Sequence, residues 1–138
     1  FVRYGDKVYE PIVEEGQADV LIAFEKLEAL RYAHFLKKDG VMIVNEQEIA
    51  PMTVVTGACD YPDNIIDNLK KEHKVVSINA MDEAKKLGNT RCFNVVILGL
   101  AAKSMDFDKD EWLSVIADTV PKKTIDINQK AFIAGFES

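Results

Sequence analysis

Three short apolar runs in the first 80 residues place the strongest constraint on the fold of this chain. They are Val20–Phe24, Val41–Val44 and Val75–Ile78, and none alternates strictly between apolar and polar residues. Strands of this kind are buried on both faces, as in parallel sheets covered by helices. Helical patterns follow the first two runs, one ending at Gly40 and one spanning residues 60–73. The order strand–helix–strand–helix–strand therefore predicts an α/β fold with an open, mostly parallel sheet between two layers of helices.

The remaining patterns predict shorter elements around this sheet. The opening residues, FVRYGDKVYEP, have the pattern of a hairpin that turns at Gly5, and residues 53–56 are predicted as a short edge strand. Helices are predicted over residues 82–87, 92–102, 108–120 and 125–136. Gly99 is expected to allow close packing in the second of these helices, and Asp108 with Glu111 resembles a capping box at the start of the third. The last helices are expected to form a C-terminal tail.

Length and charge exclude several classes of function. The 138 residues suit a single domain, and the formal net charge of −6 argues against nucleic acid or an anionic membrane surface as the main partner. No apolar stretch approaches the roughly 20 residues that a membrane helix needs. No signal peptide is visible, so we expect a cytoplasmic location.

The sequence contains no complete active site. Its two cysteines, Cys59 and Cys92, are too few for an iron–sulfur cluster or a zinc site, and we interpret them as reduced thiols. Neither histidine has a partner at a spacing typical of a catalytic triad or a metal site. There is no thiamine-diphosphate motif, Walker A loop or Gly-x-Gly-x-x-Gly. We therefore predict no catalytic and no metal-binding residues here, and expect any redox metal to lie on another chain.

Polar side chains cluster where the predicted strands end. Phe24 and Glu25 follow the first strand, Asn45 and Glu46 the second, and Asn79 the third. In open parallel sheets, ligands bind beyond the carboxyl ends of the strands. These residues could therefore face a cofactor or a partner's active site. The alternative is ordinary surface polarity where strands leave the core, because fold position alone does not imply function.

Two polar residues near the start of the long apolar helix are further candidates. Arg91 and Asn94 lie one helical turn apart, and Asn94 interrupts an otherwise apolar run. A buried amide needs hydrogen-bond partners, and a helix start suits an anionic or carbonyl-bearing group. The alternative is a structural hydrogen bond to a neighbouring loop. The candidate cofactor-binding or interface residues are thus Glu25, Asn45, Arg91 and Asn94.

Several stretches resemble a known family. GQADVLIAFEKLEALR and GNTRCFN, with INQKAFIAGFES near the end, resemble the small (beta) subunit of indolepyruvate ferredoxin oxidoreductases. More broadly, they are similar to the gamma-type domain of 2-oxoacid:ferredoxin oxidoreductases. The resemblance covers nearly the whole chain, and the first two motifs are specific only in combination. It implies a Rossmann-like, three-layer α/β fold.

The resemblance also implies a function. The family carries out oxidative decarboxylation of a 2-oxoacid, with coenzyme A accepting the acyl group and ferredoxin the electrons, and the resemblance implies indolepyruvate as the 2-oxoacid. Thiamine diphosphate and the iron–sulfur clusters belong to a large catalytic subunit. This chain would then be a cofactor-free accessory subunit in an oligomer, without nucleic acid or membrane as a partner. A matching Arg and Asn in the family favour a role for Arg91 and Asn94 in the assembled enzyme.

The sequence departs from the family at its start. The family's glycine-rich opening segment and a later Gln-Arg-Gly-Gly stretch are absent, so residues 1–138 are expected to form the C-terminal part of a larger gamma-type domain. The roles of those glycines do not transfer to this chain. Two other functions stay open on the residues alone: a free-standing nucleotide- or CoA-binding interaction module, and a purely structural interaction domain.

Overall fold

A three-stranded parallel sheet in the order β1-β2-β3 forms the centre of the molecule. The computed structural model describes all 138 residues. The strands are β1 Ala18–Ala23, β2 Leu36–Asn45 and β3 Lys74–Ile78. β2 lies in the middle, and its last six residues, 40–45, are all buried. All three predicted strands and the parallel sheet are confirmed.

Helices cover both faces of the sheet. They are α1 Lys26–Tyr32, α2 Met52–Val55, α3 Ile65–Glu72, α4 Ala80–Lys86, α5 Phe93–Ala102, α6 Lys109–Thr119 and α7 Ile125–Phe136. On one face, Met42 and Val44 pack in a cluster with residues of α1 and α3. On the other face, Val41 and Ile43 pack in a cluster with residues of α4, α5 and α7. The predicted three-layer, Rossmann-like architecture is therefore confirmed. None of the helices is long and apolar enough to cross a membrane.

The backbones of α5 and α7 touch directly. A Cβ atom added at Gly99 would lie 2.0 Å from the carbonyl oxygen of Phe132, and one at Gly135 would lie 1.8 Å from that of Val96. Only glycine permits such an approach, because any side chain would have to displace backbone rather than a flexible neighbour. The expectation that Gly99 allows close packing is confirmed, and Gly135 is its counterpart on α7.

The helical tail is also confirmed. α6 begins with the predicted capping box, in which Asp108 accepts from the backbone of Glu111 while the Glu111 side chain accepts from Asp108 N–H at 2.9 Å. Trp112 in its first turn stacks on Phe132 of α7, with ring centroids 5.9 Å apart. This aromatic contact joins α6 to the α5–α7 pair.

The predicted N-terminal hairpin is wrong. Residues 1–17 contain no strand, and no backbone N–H of residues 1–15 donates to a backbone carbonyl. The chain does bend at Gly5, where φ is +152°. A two-stranded hairpin is marginal unless it packs on something, and these residues are almost all exposed. The turn glycine is present, but the stretch stays almost wholly exposed even where Tyr4 meets Phe107, with ring centroids 5.3 Å apart, so burial does not stabilise two paired strands.

The first helix is shorter than predicted, because the sheet starts earlier. α1 ends at Tyr32, a 3₁₀ turn covers Ala33–Phe35, and β2 begins at Leu36, not after Gly40. Leu36 is buried and pairs with Ala18, whereas Val20 pairs with Val41, so residues 37–40 form a bulge in β2. Burial of Leu36 in the sheet outweighs the helical pattern of this stretch.

Residues 53–56 do not form the predicted edge strand. Thr53–Val55 belong to α2, a single helical turn whose C-cap is Thr56. The carbonyl of Pro51, just before this turn, accepts from the N–H groups of Val54 and Val55 at 2.9 and 3.0 Å. Proline suits a helix start, and no strand edge lies beside this stretch to use its β-branched residues. α3 begins at Ile65, later than predicted, because Pro62 and the left-handed Asn64 (φ 56°) precede it.

Candidate functional site

Asn45 joins all three strand ends at the carboxyl edge of the sheet. Its side chain is fully buried at the end of β2. Its Nδ2 donates to the carbonyl oxygen of Phe24, just after β1, at 3.1 Å. Its Oδ1 accepts from the N–H of Ala80, just after β3, at 3.1 Å. Both ends of this buried amide are therefore satisfied by backbone, and Asn45 fixes the relative positions of the loops that leave the sheet.

Glu25 occupies the neighbouring position, at the start of α1. Its Oε2 accepts from the N–H of Glu28 at 3.0 Å and caps the helix. Its Oε1 accepts from the N–H of Ile49 at 3.4 Å and from the hydroxyl of Tyr61. With only 6% of its surface exposed, Glu25 is a buried carboxylate whose acceptors point at three different parts of the chain.

These hydrogen bonds set the titration of both groups. Burial alone would raise the pKa of Glu25, but the hydrogen bonds from Tyr61 and from the backbone of Leu27, Glu28 and Ile49 outweigh it and lower the pKa. Burial, together with the hydrogen bond to Glu25, raises the pKa of Tyr61. The pair is therefore a carboxylate and a neutral phenol over the physiological pH range.

The sequence predicts residues 46–60 as a long connection containing Pro51 and Gly57, but it does not indicate that Glu25 holds this stretch in place. Residues 46–63, which we call the acidic-flanked segment, connect β2 to α3 and include α2. Besides Glu25, the segment is held by Lys26, whose N–H donates to the carbonyl of Gln47 at 3.1 Å and whose ammonium pairs with Glu48. Pro51 before Met52–Val55, and Pro62 near the end of the segment, were the only sequence signals that could have indicated it.

Arg91 and Asn94 lie near the same edge, but exposed. Arg91 is in a 3₁₀ turn that precedes α5, and Asn94 is the second residue of α5. Between them, the Phe93 ring packs edge-on against Phe24, with centroids 6.2 Å apart, which places the start of α5 at the end of β1. Asn89 caps the turn by accepting from the N–H of Arg91 at 3.0 Å.

The expectation that Asn94 is a buried amide is wrong. The buried side of α5 is formed by Val96, Ile97 and Leu100, whereas Asn94 is exposed in the first turn and forms no side-chain hydrogen bond. The guanidinium of Arg91 is likewise exposed and unpaired within the chain. The structural hydrogen bond considered for Asn94 therefore does not exist, and both side chains are free to meet another molecule.

The edge offers no activated nucleophile. Cys92 is buried, its thiol donates to the carbonyl of Asn89 at 2.8 Å, and burial raises its pKa, so it is held as the less reactive thiol. Cys59 is exposed in the acidic-flanked segment. No group of three His, Cys, Asp or Glu side chains lies close enough together to hold a metal ion. The arrangement is suited to presenting a fixed surface at the end of the sheet.

Comparison with known proteins assigns this fold to a family. The family model described as pyruvate ferredoxin/flavodoxin oxidoreductase matches residues 1–138, the whole chain. The chain belongs to this family. The predicted resemblance to oxoacid oxidoreductases, and the oxidoreductase class itself, are thereby confirmed.

Curated relatives carry a more specific name. The chain is 37% identical to the indolepyruvate oxidoreductase subunit IorB of Thermococcus kodakarensis, over 100% of this chain and 71% of that protein. It is 41% identical to the protein of the same name from Archaeoglobus fulgidus, over 98% of this chain and 69% of that protein. The chain thus spans about 70% of the length of these relatives.

Two solved structures share the fold of this oxidoreductase-family chain. The gamma subunit of a keto/oxoacid ferredoxin oxidoreductase from Geobacter sulfurreducens PCA aligns with a TM-score of 0.65 at 25% identity, over 91% of this chain and 66% of that one. The pyruvate oxidoreductase subunit PORC of Thermotoga maritima aligns with a TM-score of 0.59 over 87% of this chain and 62% of that one. At 18% identity, the second likeness concerns the fold alone.

Proposed function

We propose that this chain is the small accessory subunit of a 2-oxoacid:ferredoxin oxidoreductase whose substrate is indolepyruvate. The observation that carries the proposal is the identity of 33–41%, along essentially the whole chain, to four proteins named indolepyruvate oxidoreductase subunit IorB. The likeness to the gamma subunit of a keto/oxoacid ferredoxin oxidoreductase supports the same class of reaction. We choose indolepyruvate over other 2-oxoacids because the relatives are named as indolepyruvate oxidoreductase subunits.

In this proposal, the chemistry takes place on a larger partner subunit. That subunit holds thiamine diphosphate and iron–sulfur clusters, carries out CoA-dependent oxidative decarboxylation and passes electrons to ferredoxin. The present chain holds none of these groups and works in a cytoplasmic oligomer. Its two cysteines, one buried and one exposed, support this division of labour, because a cluster needs several cysteine thiolates together.

The four candidate residues then divide between two roles. Glu25 and Asn45 are buried, and their hydrogen bonds position the loops of the carboxyl edge. Arg91 and Asn94 are exposed beside that edge and are proposed to contact the large subunit or a phosphate of coenzyme A. Direct ligand binding by the buried pair would require their present hydrogen bonds to break.

Reconstitution with the large subunit of the same oxidoreductase tests the proposal. We expect CoA-dependent ferredoxin reduction with indolepyruvate when both subunits are present, and slower reduction with pyruvate. Full activity of the large subunit without this chain would contradict the accessory role. Calorimetry of the chain alone with coenzyme A and with nucleotides is the second arm, since tight binding there would favour the alternative, a free-standing nucleotide- or CoA-binding module.

A further inference from the structure

We propose that the acidic-flanked segment, residues 46–63, is the surface through which this chain docks on its large subunit, at a site with an apolar centre and a basic rim. The identity of the partner rests on the proposed function. The chemistry of the contact rests on the segment itself.

The centre of the segment is apolar and exposed. Ile49, Met52 and Val55 are 60%, 72% and 65% exposed, and none belongs to a core cluster of the chain. Met52 and Val55 are three residues apart in α2 and therefore lie on the same face of that helical turn. Single exposed apolar residues are ordinary, but a concentration of them on one short element marks a surface that another protein covers.

The ends of the segment are acidic. It contains four carboxylates, Glu46, Glu48, Asp60 and Asp63, and no Lys, Arg or His. Glu48 pairs with Lys26, and Glu46 accepts from the hydroxyl of Ser77 at 2.6 Å. Asp60 and Asp63 are exposed and take part in no salt bridge of the chain. The complementary partner surface is therefore apolar in the middle, with Lys or Arg side chains around it.

The segment is held in place before any partner arrives. Glu25 accepts from the N–H of Ile49, on one side of α2, and from the hydroxyl of Tyr61, on the other. Lys26 adds the contacts to Gln47 and Glu48. Both residues belong to the start of α1, so one rigid helix end fixes both arms of the segment. A surface ordered in advance loses less conformational entropy on binding, which favours a specific contact.

The first test removes the apolar centre. A double variant, Met52→Asp with Val55→Asp, changes two exposed side chains and should leave the melting temperature unchanged. We expect its affinity for the purified large subunit to fall by about tenfold or more, since each factor of ten is only about 1.4 kcal/mol of lost contact. The matched control is Val115→Asp on α6, where the native side chain is 58% exposed, and it should bind as the wild type does.

The second test reverses the charges. In Asp60→Lys with Asp63→Lys, association should slow several-fold at low salt, while dissociation changes little, because rim charges act mainly on the encounter. The difference from wild type should fade as the salt concentration rises from about 50 mM to about 500 mM, where exposed charges are screened.

The outcomes separate the two proposals. If the wild-type chain binds the large subunit and the Met52/Val55 variant binds equally well, this docking surface is wrong and the proposed function stands. If the Val115→Asp control loses as much affinity as the double variant, the contact is not specific to the segment, and the docking proposal again fails. If the wild-type chain does not bind the large subunit at all, the accessory-subunit function is overturned together with the partner assigned here.

Discussion

The α5–α7 pair and the acidic-flanked segment are built in opposite ways. The two helices meet backbone to backbone at Gly99 and Gly135, and the residues around the contact, such as Val96 and Phe132, are fully buried. The segment has apolar side chains in solvent and is held by a few polar contacts to Glu25 and Lys26. Stability and recognition therefore lie in separate parts of this small fold. Changes in the first region should unfold the protein, whereas changes to the exposed apolar side chains of the second should leave it folded but unable to assemble.

The largest effect is expected at the helix pair. In Gly99→Ala or Gly135→Ala, the new methyl group would lie within 2.0 Å of a backbone carbonyl oxygen, so the two helices must separate along their contact. Overpacking a core costs typically 1–3 kcal/mol, and we expect about 3 kcal/mol or more here because backbone must move. Chemical denaturation followed by circular dichroism measures this loss directly.

Gly57→Ala provides the control for backbone conformation. Gly57 has φ +75° but no atom within 4 Å of an added Cβ, so only the cost of a left-handed alanine applies, about 1 kcal/mol. If Gly99→Ala and Gly135→Ala lower the free energy of unfolding no more than Gly57→Ala does, the close contact between α5 and α7 does not give the stability assigned to it.

Trp112→Ala should have the next largest effect. The half-buried ring stacks on Phe132 and meets Phe107 edge-on at 5.8 Å, so its loss leaves a gap between α6 and the helix pair. Truncation of a buried tryptophan costs roughly 3–5 kcal/mol, and partial exposure places this one near the lower end. Trp112→Phe is the comparison variant, because it keeps the aromatic contact and removes an indole N–H that is buried without an acceptor. Unfolding curves of Trp112→Ala and Trp112→Phe measure the difference in stability. Lost assembly with unchanged stability would instead make Trp112 an interface residue.

The sequence predicts the parts of the molecule that rest on local signals better than those that rest on contacts between distant residues. Apolar runs and a capping box are local signals, so the existence of the three strands, α5, and the start of α6 at Asp108 were predicted correctly, although β2 begins earlier, at Leu36. The Glu25–Tyr61 contact joins residues 36 positions apart, and no periodicity encodes it. Thr53–Val55 has β-branched residues typical of strands, yet it is helical, because no strand lies beside it to pair with and Pro51 precedes it. Patterning also misplaced Asn94, because it cannot tell which side of an apolar helix faces solvent in the first turn.

Tyr61→Phe should have a moderate effect on stability and a clear dependence on pH. The variant leaves the buried Glu25 carboxylate with one donor fewer, which costs about 1–3 kcal/mol at neutral pH. The folded-state pKa of Glu25 lies below its ordinary value of 4.5, so this group stabilises the protein above about pH 4.5 and the contribution is lost as the pH falls through the folded pKa. Losing the Tyr61 hydrogen bond raises the folded pKa. The difference in the free energy of unfolding between wild type and variant should therefore be largest near pH 7 and should become smaller below about pH 4.5.

Urea denaturation of both proteins at pH 7 and at pH 4 checks this prediction. A gap that is equal at the two pH values would mean that the Tyr61 hydroxyl does not stabilise the charged form of Glu25. Affinity for the large subunit should also fall in Tyr61→Phe, because the hydroxyl holds one arm of the acidic-flanked segment. A combined loss of stability and affinity is expected only at residues that hold the acidic-flanked segment to the rest of the fold, as Tyr61 does through Glu25.

Arg91→Ala should have the smallest effect on stability and tests where the boundary between the two regions lies. α5 packs on α7 along residues 96–100, whereas its first residues lie at the end of β1 through the Phe24–Phe93 contact, on the carboxyl edge of the sheet from which the acidic-flanked segment also starts. Arg91 is exposed and its guanidinium forms no hydrogen bond or salt bridge within the chain, so its removal should change the free energy of unfolding by no more than about 0.5 kcal/mol. In the reconstituted complex, we expect 2-oxoacid oxidation to fall severalfold, because an exposed guanidinium beside Asn94 suits a carboxylate, a carbonyl or a phosphate on the other molecule.

Arg91→Lys should restore part of the activity if charge alone is needed, and little of it if the partner group is held by two parallel hydrogen bonds. Turnover and melting temperature measured on the same complex decide the matter. Unchanged turnover with a lowered melting temperature would make Arg91 a structural residue and would move the start of α5 to the stabilising side of the comparison.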